Sequence, residues 1–394
     1  MDKKKIILIL GLAGFVAMAD NWVVSPILPS IAQDLKVDVA SASIIITAYM
    51  LPFGLFQLLY GYLAERLGKR QVITVSISLF TIATALCAFA FSLSDLAVYR
   101  ALTGMFAAAV MPVSLALIGD IFPMEERQSA IGSFMGISFL GQGLSMAIGG
   151  SIAQFLNWRG VFAVYAGLAV ISSVLLFTIG RKIPSTKNKE SKALKPYITL
   201  LKNPSSLIIY ALVVFEGVFL IGSFSFLGGF IKTTFNFNNF AVGMVMTAFG
   251  LMALLAGRKS GTIVAKIGRK KTAALGLSFA FLADILLASM GGFLPIVVIA
   301  VGLMGLGFMM AHSTFLTIAT EFAAKARGIA MSLVAFCFMG GGGIGTAIGG
   351  KIVGVSSFER LFIVYGLGLM LVTLSTLLVK SSFRMSAQLQ RSIS

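Results

Sequence analysis

Apolar stretches of about twenty residues recur along the whole chain, each long enough to cross a hydrocarbon core as a helix. They fall at 6–29, 41–64, 71–92, 96–119, 129–155, 159–180, 205–232, 240–260, 271–291, 294–320, 328–354 and 358–380. Short polar loops separate them. The pattern predicts an all-α membrane protein with twelve transmembrane helices. An even number of spans returns the C-terminus to the side of the N-terminus. Lys380, Arg384 and Arg391 in the tail fit a cytoplasmic end.

One long polar stretch interrupts the series, RKIPSTKNKESKALKPYITLLKN at 181–203. It sets Arg181, Lys182, Lys187, Lys189, Lys192, Lys195 and Lys202 against Glu190 alone. No hydrophobic periodicity is apparent, and the stretch reads as a cytoplasmic linker. The expected organisation is an N-terminal six-helix bundle over 1–180, the linker, and a C-terminal bundle with a short tail over 204–394.

The halves repeat without gaps at a shift of about 200 residues. Gly61 and Gly68 answer to Gly261 and Gly268, and Phe122 and Arg127 to Phe322 and Arg327. Gly141, Gly143 and Ala147-Ile148-Gly149-Gly150 answer to Gly341, Gly343 and Ala347-Ile348-Gly349-Gly350. Phe162 and Tyr165 answer to Phe362 and Tyr365. Six spans separate each pair, so both halves run the same way through the membrane. Two bundles related by a pseudo-twofold axis along the membrane normal are expected, a plan shared with secondary transporters.

Composition agrees with burial in lipid. Of 394 residues, 58% are hydrophobic and 11% charged, where a soluble domain carries about a quarter charged residues. The net charge of +17 is of the kind that attracts nucleic acid, but its placement argues against that partner. Lys and Arg gather between spans, mostly on one face, as the positive-inside rule requires of the cytoplasmic side. Anionic lipid at that face is the expected partner. Cys87 and Cys337 lie inside spans, far apart in sequence, and read as buried free thiols. Met1-Asp2-Lys3-Lys4-Lys5 before an apolar run is similar to a signal peptide. The run continues through Asp20 to Pro29 with no small-residue cleavage site, so a retained first helix with a cytoplasmic N-terminus is expected.

The most specific motif is Gly61-Tyr62-Leu63-Ala64-Glu65-Arg66-Leu67-Gly68-Lys69-Arg70, between spans two and three. Gly61 allows close helix approach and Gly68 a tight turn. Arg66, Lys69 and Arg70 mark the cytoplasmic side and are placed to pair with acids at neighbouring helix ends. The motif resembles Gly-x-Leu-Ala-Asp-Arg-x-Gly-Arg-Lys of the major facilitator superfamily, with Glu65 in place of the aspartate. The second copy, Gly261 to Lys271, has Ala265 where the acid would be. A stronger ionic latch in the first half is therefore expected.

Further pieces extend the resemblance over the whole chain. Arg100, in Tyr99-Arg100-Ala101-Leu102-Thr103-Gly104, is similar to the family's fourth-helix arginine, linked to proton transfer. Asp120 matches the family acid that meets the Gly61–Arg70 loop, and Arg127 follows it. In span five, Gly141, Gly149 and Gly150 fit the exporter pattern Gly-x-x-x-Gly-Pro-x-x-Gly-Gly, while Ser145 and Met146 replace its Gly-Pro pair. These glycines permit close packing and bending. Pro26-Ile27-Leu28-Pro29 opens as in twelve-helix drug/proton antiporters.

Few charges survive inside the spans, and each costs about 2.5–3.5 kcal/mol at a helix centre on insertion scales. Asp20 in span one shares a face with Ala13, Ala17 and Val24. Arg100 in span four is placed to reach it, since helices one and four both line the cavity in the family that the chain resembles. A structural ion pair is the alternative for both. Glu216 in span seven, with Ser223 one face-repeat later, is a candidate cavity carboxylate. His312 in span ten, the only histidine in the sequence, is a candidate for proton coupling, though a lone His is more often a satisfied hydrogen-bonding group. Asp284 in span nine reads as a structural pair or a protonated acid. Trp22, Tyr49 and Gln57 are candidates to line an adaptable cavity. Gly340-Gly341-Gly342-Gly343 lies in a span without a following Lys-Ser/Thr, and so reads as a packing element, not a phosphate loop. No metal cluster, catalytic triad or nucleotide motif is present.

The leading expectation is a secondary transporter, not an enzyme, that exports small amphipathic compounds in exchange for protons. A proton gradient would supply the energy, with no cofactor. A monomer in a bacterial cytoplasmic membrane is expected. The alternatives are a dedicated carrier of a metabolite such as a sugar or amino acid, and a lipid flippase.

Overall fold

The computed structural model describes residues 3–185, 187, 194–322 and 327–379. Twelve helices in it are long and apolar enough to cross a membrane. They are Lys3–Trp22, Val39–Leu67, Lys69–Ala88, Leu93–Ile121, Ala130–Phe155 and Trp158–Lys182, then Pro204–Phe235, Asn239–Gly257, Arg269–Met290, Leu294–Ala319, Ile329–Val355 and Phe358–Leu378. These spans, numbered one to twelve in that order, agree with the sequence pattern to within a few residues at most ends. In hydrocarbon a backbone amide has no water to bond, so an apolar run must satisfy itself as helix.

Span one continues past Trp22 as a second helix, Val24–Asp34, with Pro29 inside it. Polar side chains in the loops cap the helices that follow them. Asp38 accepts from the Ser41 amide, Asn157 from Gly160, Asn238 from Ala241 and Ser357 from Arg360. Ser92 and Asp95 form a reciprocal capping box at span four. Between spans two and three Gly68 has φ +98°, and between spans eight and nine Gly268 has φ +82°. Both turns need a residue without Cβ.

The two six-helix bundles carry the repeat into three dimensions. Tyr165 donates to the carbonyl of Ser145 in the first bundle. Tyr365 donates to the carbonyl of Gly345 in the second. The seams between bundles also correspond. Gly150 of span five lies against the Asn239 carbonyl and Gly243 of span eight, while Gly350 of span eleven lies against Ala40 and Ser43 at the start of span two. Glycine lets these backbones approach without a side chain between them.

Two features depart from expectation. The linker is not wholly irregular, because residues Leu194–Lys202 form a helix. Its apolar positions 194, 197, 198 and 201 recur at helical spacing, with Leu200 buried and Tyr197 donating to the Leu58 carbonyl of span two. Span seven is not a uniform α-helix either. Residues Gly217–Ile221 form a π-helical turn.

Candidate functional site

Span one carries Asp20 and span four Arg100, and both side chains are buried. Arg100 Nη1 donates to Asp20 Oδ2 at 2.6 Å, and Nη2 lies 3.4 Å from the Asp20 carbonyl. The guanidinium stands 4.2 Å from the centre of the Tyr49 ring and 5.6 Å from that of Phe162. Such a planar cation suits aromatic faces where a compact ammonium would not. Among the described residues, Asp20 Oδ1 and Arg100 Nε have no hydrogen-bond partner. The pair is therefore incompletely satisfied, a costly state at membrane depth.

Span seven carries Glu216 and span ten His312. His312 Nδ1 lies 3.3 Å from Glu216 Oε2. The carboxylate is wholly buried and its Oε1 has no partner among the described residues, while the imidazole keeps 18% of its side-chain surface exposed. Phe338 lies 4.2 Å from the imidazole, ring centre to ring centre, and Phe308 5.3 Å. From Phe308 an aromatic chain runs through Phe249 and Phe224 to Trp22 of span one. It joins the C-terminal acid–base pair to the N-terminal bundle.

The other cavity candidates are buried too. Tyr49 has no exposed surface and covers Arg100, and Gln57 is buried in span two. Ser223 departs from expectation. It does not share the Glu216 environment, but donates to Asp284 Oδ1 of span nine at 2.5 Å. The π turn between residues 216 and 223 separates their faces.

At the opposite end of the N-terminal bundle, Lys69 bridges two acids. Its Nζ lies 2.8 Å from Asp120 Oδ2 and 3.0 Å from Glu65 Oε1. Arg66 donates to the Tyr62 hydroxyl and Arg70 to the Arg181 carbonyl, so among the described contacts neither pairs with an acid. The Arg127 side chain lies outside the described residues. Gly61 does not meet a neighbouring span: a Cβ there would find only the Tyr197 hydroxyl, at 3.6 Å. Among the described residues the second copy holds one bridge, Arg269 to Glu321 at 2.6 Å. Glu321 was not singled out from sequence, since it has no counterpart in the quoted motif. In span five, Gly141 lies against the Phe15 backbone and Gly149 against Val23, both of span one and its junction, and Gly150 against span eight.

The described hydrogen bonds between spans of different bundles gather at the end away from the Gly61–Arg70 loop. Ser25 donates to the carbonyls of Phe224 and Ser225. Lys232 donates to Ser30 and Asn239, and Ser30 to Asn239. Thr47 donates to the Gly343 carbonyl. Beside this closed end, Arg159 and Trp158 both donate to Asp34, and the Arg159 bond above all holds its carboxyl below the usual range. Lys232, Ser30 and Asn239 carry no sequence signal beyond polarity near a span end. Among the described residues no group of His, Cys, Asp and Glu is placed to hold a metal.

Two parallel six-helix bundles with acid–base pairs buried between membrane helices are the build of a membrane transporter. The chain belongs to the Major Facilitator Superfamily, whose family model matches residues 10–323 and 218–391. It is 29% identical over 354 residues to the MFS-type transporter YceJ of Bacillus subtilis (strain 168), covering 85% of this chain and 86% of that one. It is 36% identical over 161 residues to the puromycin resistance protein pur8 of Streptomyces alboniger, covering 41% of this chain and 32% of that protein. Several such relatives are spanned for only about a third of their length. The fold matches that of a D-xylose-proton symporter with a TM-score of 0.78 at 16% identity, over 96% of this chain and 98% of the other. The nucleoside transporter NupG matches with a TM-score of 0.76 at 15% identity, over 94% and 99%.

Proposed function

We propose that this transporter exports small amphipathic compounds in exchange for protons. The observation that carries the reading is Glu216, a buried carboxylate with one free oxygen whose partner is a partly exposed histidine. A proton or a cationic substrate satisfies such a carboxylate, and competition between them gives exchange without covalent chemistry. The aromatic chain from Phe338 to Trp22 supplies apolar faces to a flat substrate. Similarity to the puromycin resistance protein and to the multidrug resistance protein fnx1 of Schizosaccharomyces pombe supports a drug-like cargo.

Asp20 and Arg100 form the second ionisable centre of the cycle. The bundles rock about a midplane site, and with a cytoplasmic N-terminus this conformation is closed toward the outside. The Lys69 bridge to Glu65 and Asp120 belongs to the cytoplasmic gate. The protein works as a monomer in a bacterial cytoplasmic membrane, its basic loops on anionic lipid and a proton gradient as its energy source.

A second reading, a dedicated metabolite carrier, is favoured by buried amides. Asn21 Oδ1 and Gln142 Nε2 are buried without partners, as suits a polar solute that needs convergent hydrogen bonds. Similarity to citrate exporter 1 of Aspergillus niger fits that reading.

Purified protein in sealed liposomes with an imposed pH gradient separates the two. Proton movement evoked by several unrelated lipophilic cations, and lost in Glu216→Gln, is expected. A response to one metabolite alone would establish the second reading.

A further inference from the structure

We propose that Asp284 is a second proton-binding site of the C-terminal bundle, exchanging its proton as span seven changes between π and α winding. The inference rests on the proton-coupled reading above. Asp284 is wholly buried, and the Ser223 hydroxyl donates to its Oδ1 at 2.5 Å. Its Oδ2 has no hydrogen-bond partner among the described residues. Among the described residues no basic side chain pairs with it, and Tyr365 of span twelve is the titratable group within its electrostatic reach. A carboxylate left charged in such a place is costly, so a proton is its natural ligand.

The link to transport is the winding of span seven. Glu216 and Ser223 are seven positions apart (223 − 216), about two turns of α-helix, and in an unbroken helix would share a face. The π turn Gly217–Ile221 lies between them. Five residues at the wider π winding set the helix back by roughly one residue's rotation. Glu216 therefore faces His312 of span ten, while Ser223 faces Asp284 of span nine. Straightening the turn carries Ser223 toward the Glu216 face and withdraws its hydroxyl from Asp284. A donated hydrogen bond favours the ionised carboxylate, and its loss favours the proton-bound acid. The π form thus holds the proton less tightly than the α form. The turn is clamped by neighbours that move with the bundle. Gly217 lies against the Phe338 carbonyl of span eleven, Gly222 against the Tyr365 ring, and Phe219 is 5.9 Å from that ring.

Infrared spectroscopy of the full-length protein in lipid tests this, with pH as the probe between about 5 and about 9. The expected result is a carboxylic-acid band that is lost in Asp284→Asn and that declines in the wild type as pH rises. In Ser223→Ala, which keeps the acid, the decline shifts to higher pH. If Asp284→Asn does not fold, that shift alone decides. A band constant over the range, no band lost in Asp284→Asn, or no shift in Ser223→Ala overturns the site. Coupled transport beside a constant band would overturn this site and leave proton coupling standing. A titrating band in a protein that moves no protons in vesicles would keep the site and refute the coupling.

Discussion

Ser25 donates a hydrogen bond, 3.1 Å long, to the carbonyl of Ser225, the residue 200 positions further along the chain. A residue touching its own repeat counterpart marks the axis that relates the two bundles. Spans one and seven cross there, and a Cβ on Gly228 would run into the backbone of Ser25 and Pro26. The closed end is thus pinned on the axis itself.

Ser25→Ala removes the one hydroxyl proton that the Phe224 and Ser225 carbonyls share. That shared hydrogen bond contributes about 1 kcal/mol to the closed end. The opposite conformation should therefore gain about five-fold in relative population. Spin labels at Val37→Cys and Phe237→Cys report the distance across this end, which should lengthen. An unchanged distribution would remove Ser25 from the gate.

A methyl group on the glycine seam should act the other way from a lost hydrogen bond elsewhere. A Cβ at Gly250 would stand 2.5 Å from the Gly143 Cα. Gly250→Ala must push spans five and eight apart, so transport should fall several-fold while insertion is retained. Gly167→Ala, where a Cβ meets nothing within 4 Å, is the control and should transport normally.

Gly61 and Gly68 belong to one motif but should respond differently. Gly68→Ala forces a side chain into φ +98° and should cost about 1–2 kcal/mol. Gly61→Ala brings a methyl group into ordinary contact with Tyr197 and should be near neutral. Thermal unfolding in detergent compares them, and equal losses would contradict the assignment.

All twelve spans were legible in the sequence, because each apolar run had to be helix. The sequence also placed Asp20 within reach of Arg100, since both were rare charges on spans expected to be neighbours. What stayed hidden depended on winding and on partners far along the chain. Glu216 and Ser223 share a face only on a uniform α-helix, and nothing in Gly217-Val218-Phe219-Leu220-Ile221 announces a π turn. The Tyr49 stack on Arg100 and the Lys232–Ser30–Asn239 cluster needed tertiary placement. The linker helix was missed because it is short, carries Pro196, and follows a run of lysines and polar residues.

Arg100→Lys keeps the charge but should not restore function. The guanidinium lies between the Tyr49 and Phe162 rings while bonding Asp20, and an ammonium cannot fill that slot. Because the charge is kept, the loss of stability should stay below the about 3–5 kcal/mol that follows removal of one partner of a buried pair. A melting temperature equal to that of the wild type would show the pair to be dispensable for stability.

Asp34 gives a pH dependence with a definite sign. Its carboxyl is held below its ordinary value, chiefly by Arg159. Its stabilising contribution is therefore present above the unfolded value of about 4 and lost as pH falls through the lower folded value. Asp34→Asn should melt slightly earlier than the wild type at pH 7, by an amount that shrinks to nothing in acid. A deficit that grew on acidification would contradict the assignment.

Where Gly150 meets Gly243, and where Gly143 meets Gly250, one helix touches another with bare backbone. Interlocked side chains would have to be lifted out of their sockets before the bundles could turn. A smooth contact has no sockets, so it acts as a bearing, on which two stiff bodies roll with little friction. The moving surface can then stay in contact throughout a cycle, and no lipid need enter between the bundles while they exchange the side on which they open.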